Sequence, residues 1–206
     1  QEDLSRRDFT VNAVALRNSE IVDPFGGRKD LKAKLIRAVG ESTARFQEDA
    51  LRMMRAARLA TVLDFKIEGE TTKAIQACSD LLSEISEERV RDEFLKIIMA
   101  DRAMSGIELL RELGLLRHIM PELEEGYGVA QNKHHKYTVW EHNALSLDYA
   151  AKQKWDSSVR IAALLHDVAK PRVKEGTGPN ATFYNHEMVG ANMAKQILSR
   201  LKFAGK

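Results

Sequence analysis

The stretch Phe46-Gln-Glu-Asp-Ala-Leu-Arg-Met-Met-Arg-Ala-Ala-Arg58 carries acids and guanidiniums at helical spacing. Glu48, Arg52, Arg55 and Arg58 recur on one face, and Asp49 sits beside them, one turn before Arg52. A carboxylate next to a guanidinium sets an acceptor beside donors. Such a pair can read the Watson–Crick edge of a base. The carboxylate accepts from the exocyclic amino group of cytosine or adenine, and the Arg donates to the neighbouring ring nitrogen or carbonyl. The alternative is a solvated amphipathic helix whose charges need only i,i+4 partners and a favourable helix end.

A second set lies toward the end of the chain. Five of the six histidines fall between His134 and His186. His166 and Asp167, adjacent at the end of an apolar helix, can offer one ion a nitrogen and an oxygen. His142 on the preceding helix can offer a third ligand. Such a mixed set suits Mn, Fe, Mg, Ni or Zn without choosing among them. A metal there would activate water and polarise a phosphoryl oxygen. One ligand is missing from the pattern, and a lone His is ordinarily a core or surface residue. His134 and His135 read as substrate-facing or merely polar. Lys170, one turn after the pair, meets a phosphate or sits in solvent.

The chain has 206 residues, 44% hydrophobic and 30% charged, with 12 Gly and 4 Pro, which suits one large or two small helix-rich domains. The lone Cys78 excludes an internal disulfide and fits a reducing, cytoplasmic setting. Apolar runs such as Ile161–Leu165 are too short to span a bilayer, so no membrane partner is expected. The net charge of +2 confines any basic surface to a local patch. The chain opens at Gln1 in mid-pattern and reads as part of something longer.

The elements that hold these groups begin with short α/β pieces. Asp8–Leu16 reads as a helical turn leading into a strand, with a turn at Asn18-Ser19-Glu20 and a return strand Glu20–Asp23. Pro24-Phe-Gly-Gly27 breaks the pattern before a short helix Lys29–Leu35 and a strand Ile36–Val39. Arg6 and Arg7 are solvated or hold a triphosphate. Beyond Gly40 the chain turns helical. The organising helix runs from Phe46 to about Leu63, with Ala50, Met53, Met54, Ala57 and Ala60 as its apolar face and Ser42 capping a short lead-in. Helices follow at Glu70–Ala77, Ser86–Met99 with Val90, Phe94, Ile97 and Ile98 in the core, and Met104–Leu113. The methionines read as core. After a boundary at Gly126-Tyr-Gly128 come helices at Thr138–Ala150, Ser158–Val168 and His186–Leu201.

Three motifs taken together, Arg6-Arg-Asp-Phe-Thr-Val-Asn-Ala13, Asp23-Pro-Phe-Gly-Gly27 and Glu48-Asp49-x-x-Arg52-x-x-Arg55, resemble the bacterial-type (class II) tRNA nucleotidyltransferase and poly(A) polymerase family. The set His142, His166-Asp167 and His186-Glu187 resembles the HD metal-dependent phosphohydrolase domain attached to many of its members. The resemblance covers nearly the whole chain. It implies a mostly α fold: residues 1–40 as the α/β end of a nucleotidyltransferase head, 41–127 as an all-α neck and body, and 128–206 as an all-α HD-type region.

It also implies CCA (or CC or A) addition to tRNA 3′ ends from CTP and ATP. Asp49 and Arg52 would pair with the incoming base, Glu48 and Arg55 would support them, and Arg7, Asp8 and Asn12 would belong to the loop that hinges beside the nucleotide. His142, His166 and Asp167 match the metal ligands of the HD type, and His186 a phosphate- or metal-facing position with Lys170 nearby. The Mg2+-binding carboxylates of the head would precede Arg6, so these residues alone would be inactive, and the last HD ligand would follow Lys206. Two other readings stay open: an HD phosphohydrolase acting on phosphomonoesters or 2′,3′-cyclic phosphates, and a non-catalytic RNA-binding module.

Overall fold

The computed structural model describes residues 2–132 and 136–204. The N-terminal piece carries α1 (Glu2–Ser5), a 3-10 turn (Thr10–Asn12), β1 (Ala15–Arg17), β2 (Glu20–Val22), α2 (Gly27–Ala33) and β3 (Leu35–Ile36). Helices α3 (Ser42–Glu48) and α4 (Leu51–Leu63), strand β4 (Lys66–Ile67), and α5 (Gly69–Cys78), α6 (Glu87–Ile98), α7 (Ala103–Glu112), α8 (Leu116–Ile119) and α9 (Pro121–Glu124) follow. The last part holds α10 (Val139–Lys152), α11 (Ser157–Leu165), α12 (Lys170–Val173) and α13 (His186–Arg200). The fold is mostly α, as the sequence predicts. No helix among the described residues is long and apolar enough to cross a membrane.

The hairpin forms as expected. β1 and β2 pair antiparallel with Leu16 opposite Ile21, and Asn18 and Ser19 both take positive φ in the two-residue turn. The Asp23 carboxylate accepts from the backbone N–H groups of Gly27 and Arg28 and so caps α2. Glycine is needed at position 27 because a Cβ there would run into the Thr10 carbonyl. That close approach packs α2 onto the Thr10–Asn12 turn. β3 pairs in parallel with β4, which anchors the N-terminal piece to the C-terminal end of α4.

Three expectations are corrected. The continuous helix from Phe46 does not form: α3 ends at Glu48, and Asp49 is extended at φ −153° and ψ 102°. Its carboxylate accepts from Leu51 N, so this Asp caps α4 instead of continuing α3. Ser42 is not the cap of α3. Glu41 is, accepting from the Thr43 and Ala44 N–H groups, which hold its carboxyl below the usual range. Finally, α11 stops at Leu165, so His166 and Asp167 stand just past its end rather than within it.

Met53, Met54, Ala56, Ala57 and Ala60 are all buried on α4, against α6 and α7. Val90, Phe94, Ile97 and Ile98 are buried as expected. One core cluster runs without a break from Phe9 to Leu201. Where α6, α10 and α11 meet, the buried Arg160 guanidinium donates to the carbonyls of Ile98, Ala100, Ala151 and Trp155. It thereby satisfies the Ile98, Ala100 and Trp155 carbonyls, shares that of Ala151 with the Lys154 N–H, and places its charge at the negative poles of α6 and α10. Arg160→Met should lower the unfolding free energy by about 2–4 kcal/mol through those orphaned acceptors. Urea denaturation measures this; an unchanged midpoint would contradict the role.

Candidate functional site

The loop after α1 and the first turn of α4 face each other across a cavity of about 470 Å³. Arg6, Arg7, Asp8, Asn12, Asp49, Leu51, Arg52, Arg55 and Arg89 line it. Five guanidiniums and two carboxylates line it, while Glu2, Asp3 and Glu48 pair with Arg6, Arg7 and Arg52 from outside its wall. The size falls within the ~300–1,000 Å³ usual for small-molecule sites.

Asp8 is the hub. Its Oδ2 accepts from Arg55 Nε at 2.7 Å and lies 2.6 Å from Nη2. Its Oδ1 accepts from Phe9 N and Asn12 Nδ2. The loop and α4 are thus joined by one buried carboxylate. Arg6 and Arg7 reach the cavity edge while pairing with Glu2 and Asp3.

Asp49 and Arg52 both face the cavity, but each is held by another partner. Asp49 Oδ2 accepts from Arg89 Nη2 at 2.9 Å. Arg52 Nη1 donates to Glu48 Oε2 at 2.7 Å and to the Arg45 carbonyl at 3.0 Å. The Arg52 hydrogen bond leads in lowering the Glu48 carboxyl below its ordinary value. Glu48 does not line this cavity. It stands in the neighbouring cleft, with Phe46, Leu81 and Ile85, and holds Arg52 from there. The structure brings Arg7, Asp8, Asn12, Asp49, Arg52 and Arg55, all singled out from the sequence, to one cavity and sets Glu48 behind them. Arg89, on the first turn of α6, has no place in the sequence expectation. Forty positions separate it from Asp49, so no local pattern could have signalled it.

The second centre forms where α10, the end of α11 and the start of α13 meet. The ligand atoms of His142, His166 and Asp167 all lie within 4.8 Å of one another. His142 Nε2 is 3.0 Å from His166 Nε2 and 3.4 Å from Asp167 Oδ2, and His166 Nε2 is 3.3 Å from that oxygen. Bonds of about 2.0–2.2 Å would set neighbouring ligands of one ion ~3.0–3.4 Å apart, so the three donors fit a divalent cation. His166 Nδ1 lies 2.9 Å from the Ala163 carbonyl, which suits donation and leaves Nε2 as the ligand atom.

Lys170 is neither in solvent nor open to a phosphate. It is 6% exposed, with Nζ 2.7 Å from Asp167 Oδ2 and 2.8 Å from the Gln131 Oε1 that accepts from it. Burial opposes the charge of Asp167, but hydrogen bonds from His166 and Lys170 outweigh it and hold the carboxyl well below the usual carboxylate range. The hydrogen bond to Asp167, against desolvation, raises the His166 pKa above its ordinary value. His186 approaches Asp167 from the other side. His134 and His135 lie outside the described residues.

Three family models match the chain: "Poly A polymerase head domain" over residues 1–37, "Probable RNA and SrmB-binding site of polymerase A" over 64–126, and "HD domain" over 139–205. An A-adding tRNA nucleotidyltransferase of Deinococcus radiodurans is 42% identical over all of this chain and 49% of its own length. A multifunctional CCA protein of Janthinobacterium sp. is 36% identical over 98% of this chain and 49% of its own. A crystal structure of a tRNA nucleotidyltransferase complexed with a primer tRNA and an incoming ATP analogue matches at a TM-score of 0.60 and 30% identity, covering 80% of this chain and 48% of that one. The chain thus spans about half the length of the curated relatives it matches.

A metal at the second centre must displace the proton from His166. Its affinity for Mn2+ should therefore fall as pH is lowered, starting above the usual histidine range because the His166 pKa is raised. Equilibrium dialysis across pH measures this; affinity independent of pH would contradict the assignment.

Proposed function

We propose a function from one premise: the chain belongs to the tRNA nucleotidyltransferase and poly(A) polymerase family. In the whole protein its arginine-lined cavity selects CTP and ATP for addition to the 3′ end of tRNA. The observation that carries this reading is the convergence of Arg6, Arg7, Asp8, Asn12, Asp49, Arg52, Arg55 and Arg89 on one cavity of nucleotide size. Residues 1–40 act as the end of the head, 41–127 as neck and body holding nucleotide and RNA, and 128–206 as an HD-type region. With tRNA as substrate, the place of action is the cytoplasm.

The selectivity follows from base-edge chemistry. Cytosine and adenine each present an exocyclic amino group beside an unprotonated ring nitrogen, whereas uracil and guanine present a carbonyl beside a ring N–H. Asp49 accepts from the amino group and Arg52 donates to the ring nitrogen, so one pair suits both accepted bases and opposes both rejected ones. Arg89 and Glu48 fix the two reading groups from opposite sides before the base arrives. The remaining guanidiniums of the wall meet the triphosphate. Nucleotidyltransferase and HD domains in general use divalent metals. The finer reading is Mg2+ for the transfer step, held by groups outside this stretch.

The convergence of His142, His166 and Asp167 favours a second activity, hydrolysis of phosphomonoesters or cyclic phosphates. A divalent ion bound there would supply an activated water and polarise the phosphoryl oxygen. Among the chain's own residues, the Ala163 carbonyl orients His166 and Lys170 orients Asp167.

In the whole enzyme, Asp49→Ala and Arg52→Ala should each reduce discrimination of CTP and ATP over UTP and GTP by roughly 5- to 150-fold, the ~1–3 kcal/mol of a lost base-edge contact. tRNA affinity should change little. Steady-state kinetics with each nucleotide and a tRNA binding assay provide the check; unchanged discrimination would refute the assignment.

A further inference from the structure

The guanidiniums that line the arginine-rich cavity are each held by an acid. The outer face of α2 differs. Arg28, Lys29 and Lys32, with Lys34 just past the helix end, are exposed and make no ion pair among the described residues. The same holds for Lys66 on β4. The acids of this neighbourhood are already engaged. Asp23 accepts from two backbone N–H groups, and Asp30 is buried against Thr10 and Arg37. Glu68 pairs with Arg37 and Asp64 with Arg102.

The backbone gathers these cations. α2 buries Gly27 and Asp30, so at about 100° per residue Arg28, Lys29 and Lys32 fall on the opposite side. Lys32 stands three and four positions after the other two, where like charges on a helix repel. Lys34 takes a positive φ and closes the helix, its N–H reaching the Asp30 and Leu31 carbonyls. Its own carbonyl accepts from Lys66 N at 2.9 Å, which brings a fifth exposed cation alongside. The whole chain carries a formal net charge of +2. Five cations without acids are therefore a concentrated patch on a nearly neutral chain, and a bound polyanion relieves their repulsion.

We propose that this face holds the sugar–phosphate backbone of the tRNA whose 3′ end enters the arginine-lined cavity. The inner side of α2 supports that cavity. Gly27 packs on the Thr10 carbonyl, and Thr10 Oγ1 donates to Asp30 Oδ2 at 2.7 Å, within the loop that carries Asp8 and Asn12. The outer face thus stands about one helix diameter, ~10–12 Å, from that loop. At ~3.4 Å per stacked nucleotide this spans roughly three nucleotides, so the contact falls near the 3′ end. Lysines predominate, and ammonium groups meet phosphates as point charges without reading sequence. α2 has no aromatic side chain to stack on a base. A lipid surface would require a broad apolar face, whereas α2 exposes one large apolar side chain, Leu31.

The inference rests on tRNA being the substrate, and the test separates the two. tRNA affinity of the whole protein is measured by filter binding over roughly 50–200 mM KCl. The wild type is compared with the triple variant Lys29→Gln, Lys32→Gln, Lys34→Gln. Each lost phosphate contact lowers the slope of log affinity against log salt by ~0.7–0.9, so the variant should lose roughly 2–2.7 of slope and about 10- to 100-fold in affinity near ~0.1 M salt. Its binding of CTP and ATP without tRNA, and its thermal unfolding, should match the wild type. A hairpin RNA carrying only the 3′ arm of the tRNA should show the same change; a change with intact tRNA alone sets the contact away from the 3′ end and overturns the placement. Unchanged affinity and slope in the folded variant overturn the proposal while leaving tRNA as the substrate. Lost binding to phosphatidylserine vesicles with tRNA binding intact assigns the face to a lipid surface and also overturns it. No tRNA binding by the wild type refutes the tRNA reading together with this proposal.

Discussion

Much of the structure depends on the carboxylate of Asp8. It ties an N-terminal loop to the middle of α4 through Arg55 and organises its own loop through Phe9 N and Asn12. Asp8 is buried, but Arg55 is 38% exposed in its side chain, so water screens the attraction. The importance of the pair is therefore geometric more than energetic. It ties the loop that carries Arg6 and Arg7 to the helix that carries Arg52. The close packing of Gly27 on the Thr10 carbonyl and the pairing of β3 with β4 fix the same loop from behind.

Both centres use one strategy: groups that would touch a ligand are held by partners that would not. Glu48 fixes Arg52 and Arg89 fixes Asp49, while backbone carbonyls fix His166 and His186 and Lys170 fixes Asp167. Holding a flexible side chain in advance lowers the ordering cost of binding, about 0.5–1.5 kcal/mol for each long side chain immobilised. The two centres also share a scaffold. α6 presents Arg89 at its first turn, and its last carbonyls rest on Arg160, which belongs to the helix that ends at Leu165, just before His166.

The helices were readable because their apolar spacing is local. The α4 methionines and alanines and the α6 aliphatics are buried as the periodicity requires. All but Arg89 of the charged groups that line the arginine-rich cavity were readable as motifs, since Arg6, Arg7, Asp8 and Asn12 lie together in one stretch and Asp49, Arg52 and Arg55 in another. What escaped was each contact decided by competition or distance. Asp49 can continue a helix or cap the next one, and periodicity does not weigh a carboxylate accepting from Leu51 N. Glu41 took the cap of α3 by reaching two N–H groups at once, which a preference for Ser does not foresee. Lys170 read as a cation that meets a phosphate or sits in solvent. Its burial depends on Gln131, 39 positions away.

The central claim is that Asp49 and Arg52 read the base edge of the incoming nucleotide. Its most direct test is calorimetric binding of the four ribonucleoside triphosphates to the whole protein in the absence of tRNA. CTP and ATP should bind alike, and UTP and GTP at least ~10-fold more weakly, since their edges set a carbonyl against Asp49 and an N–H against Arg52. Equal affinity for all four would mean that the cavity holds only the triphosphate, and that the carboxylate and guanidinium at its centre do not select the base.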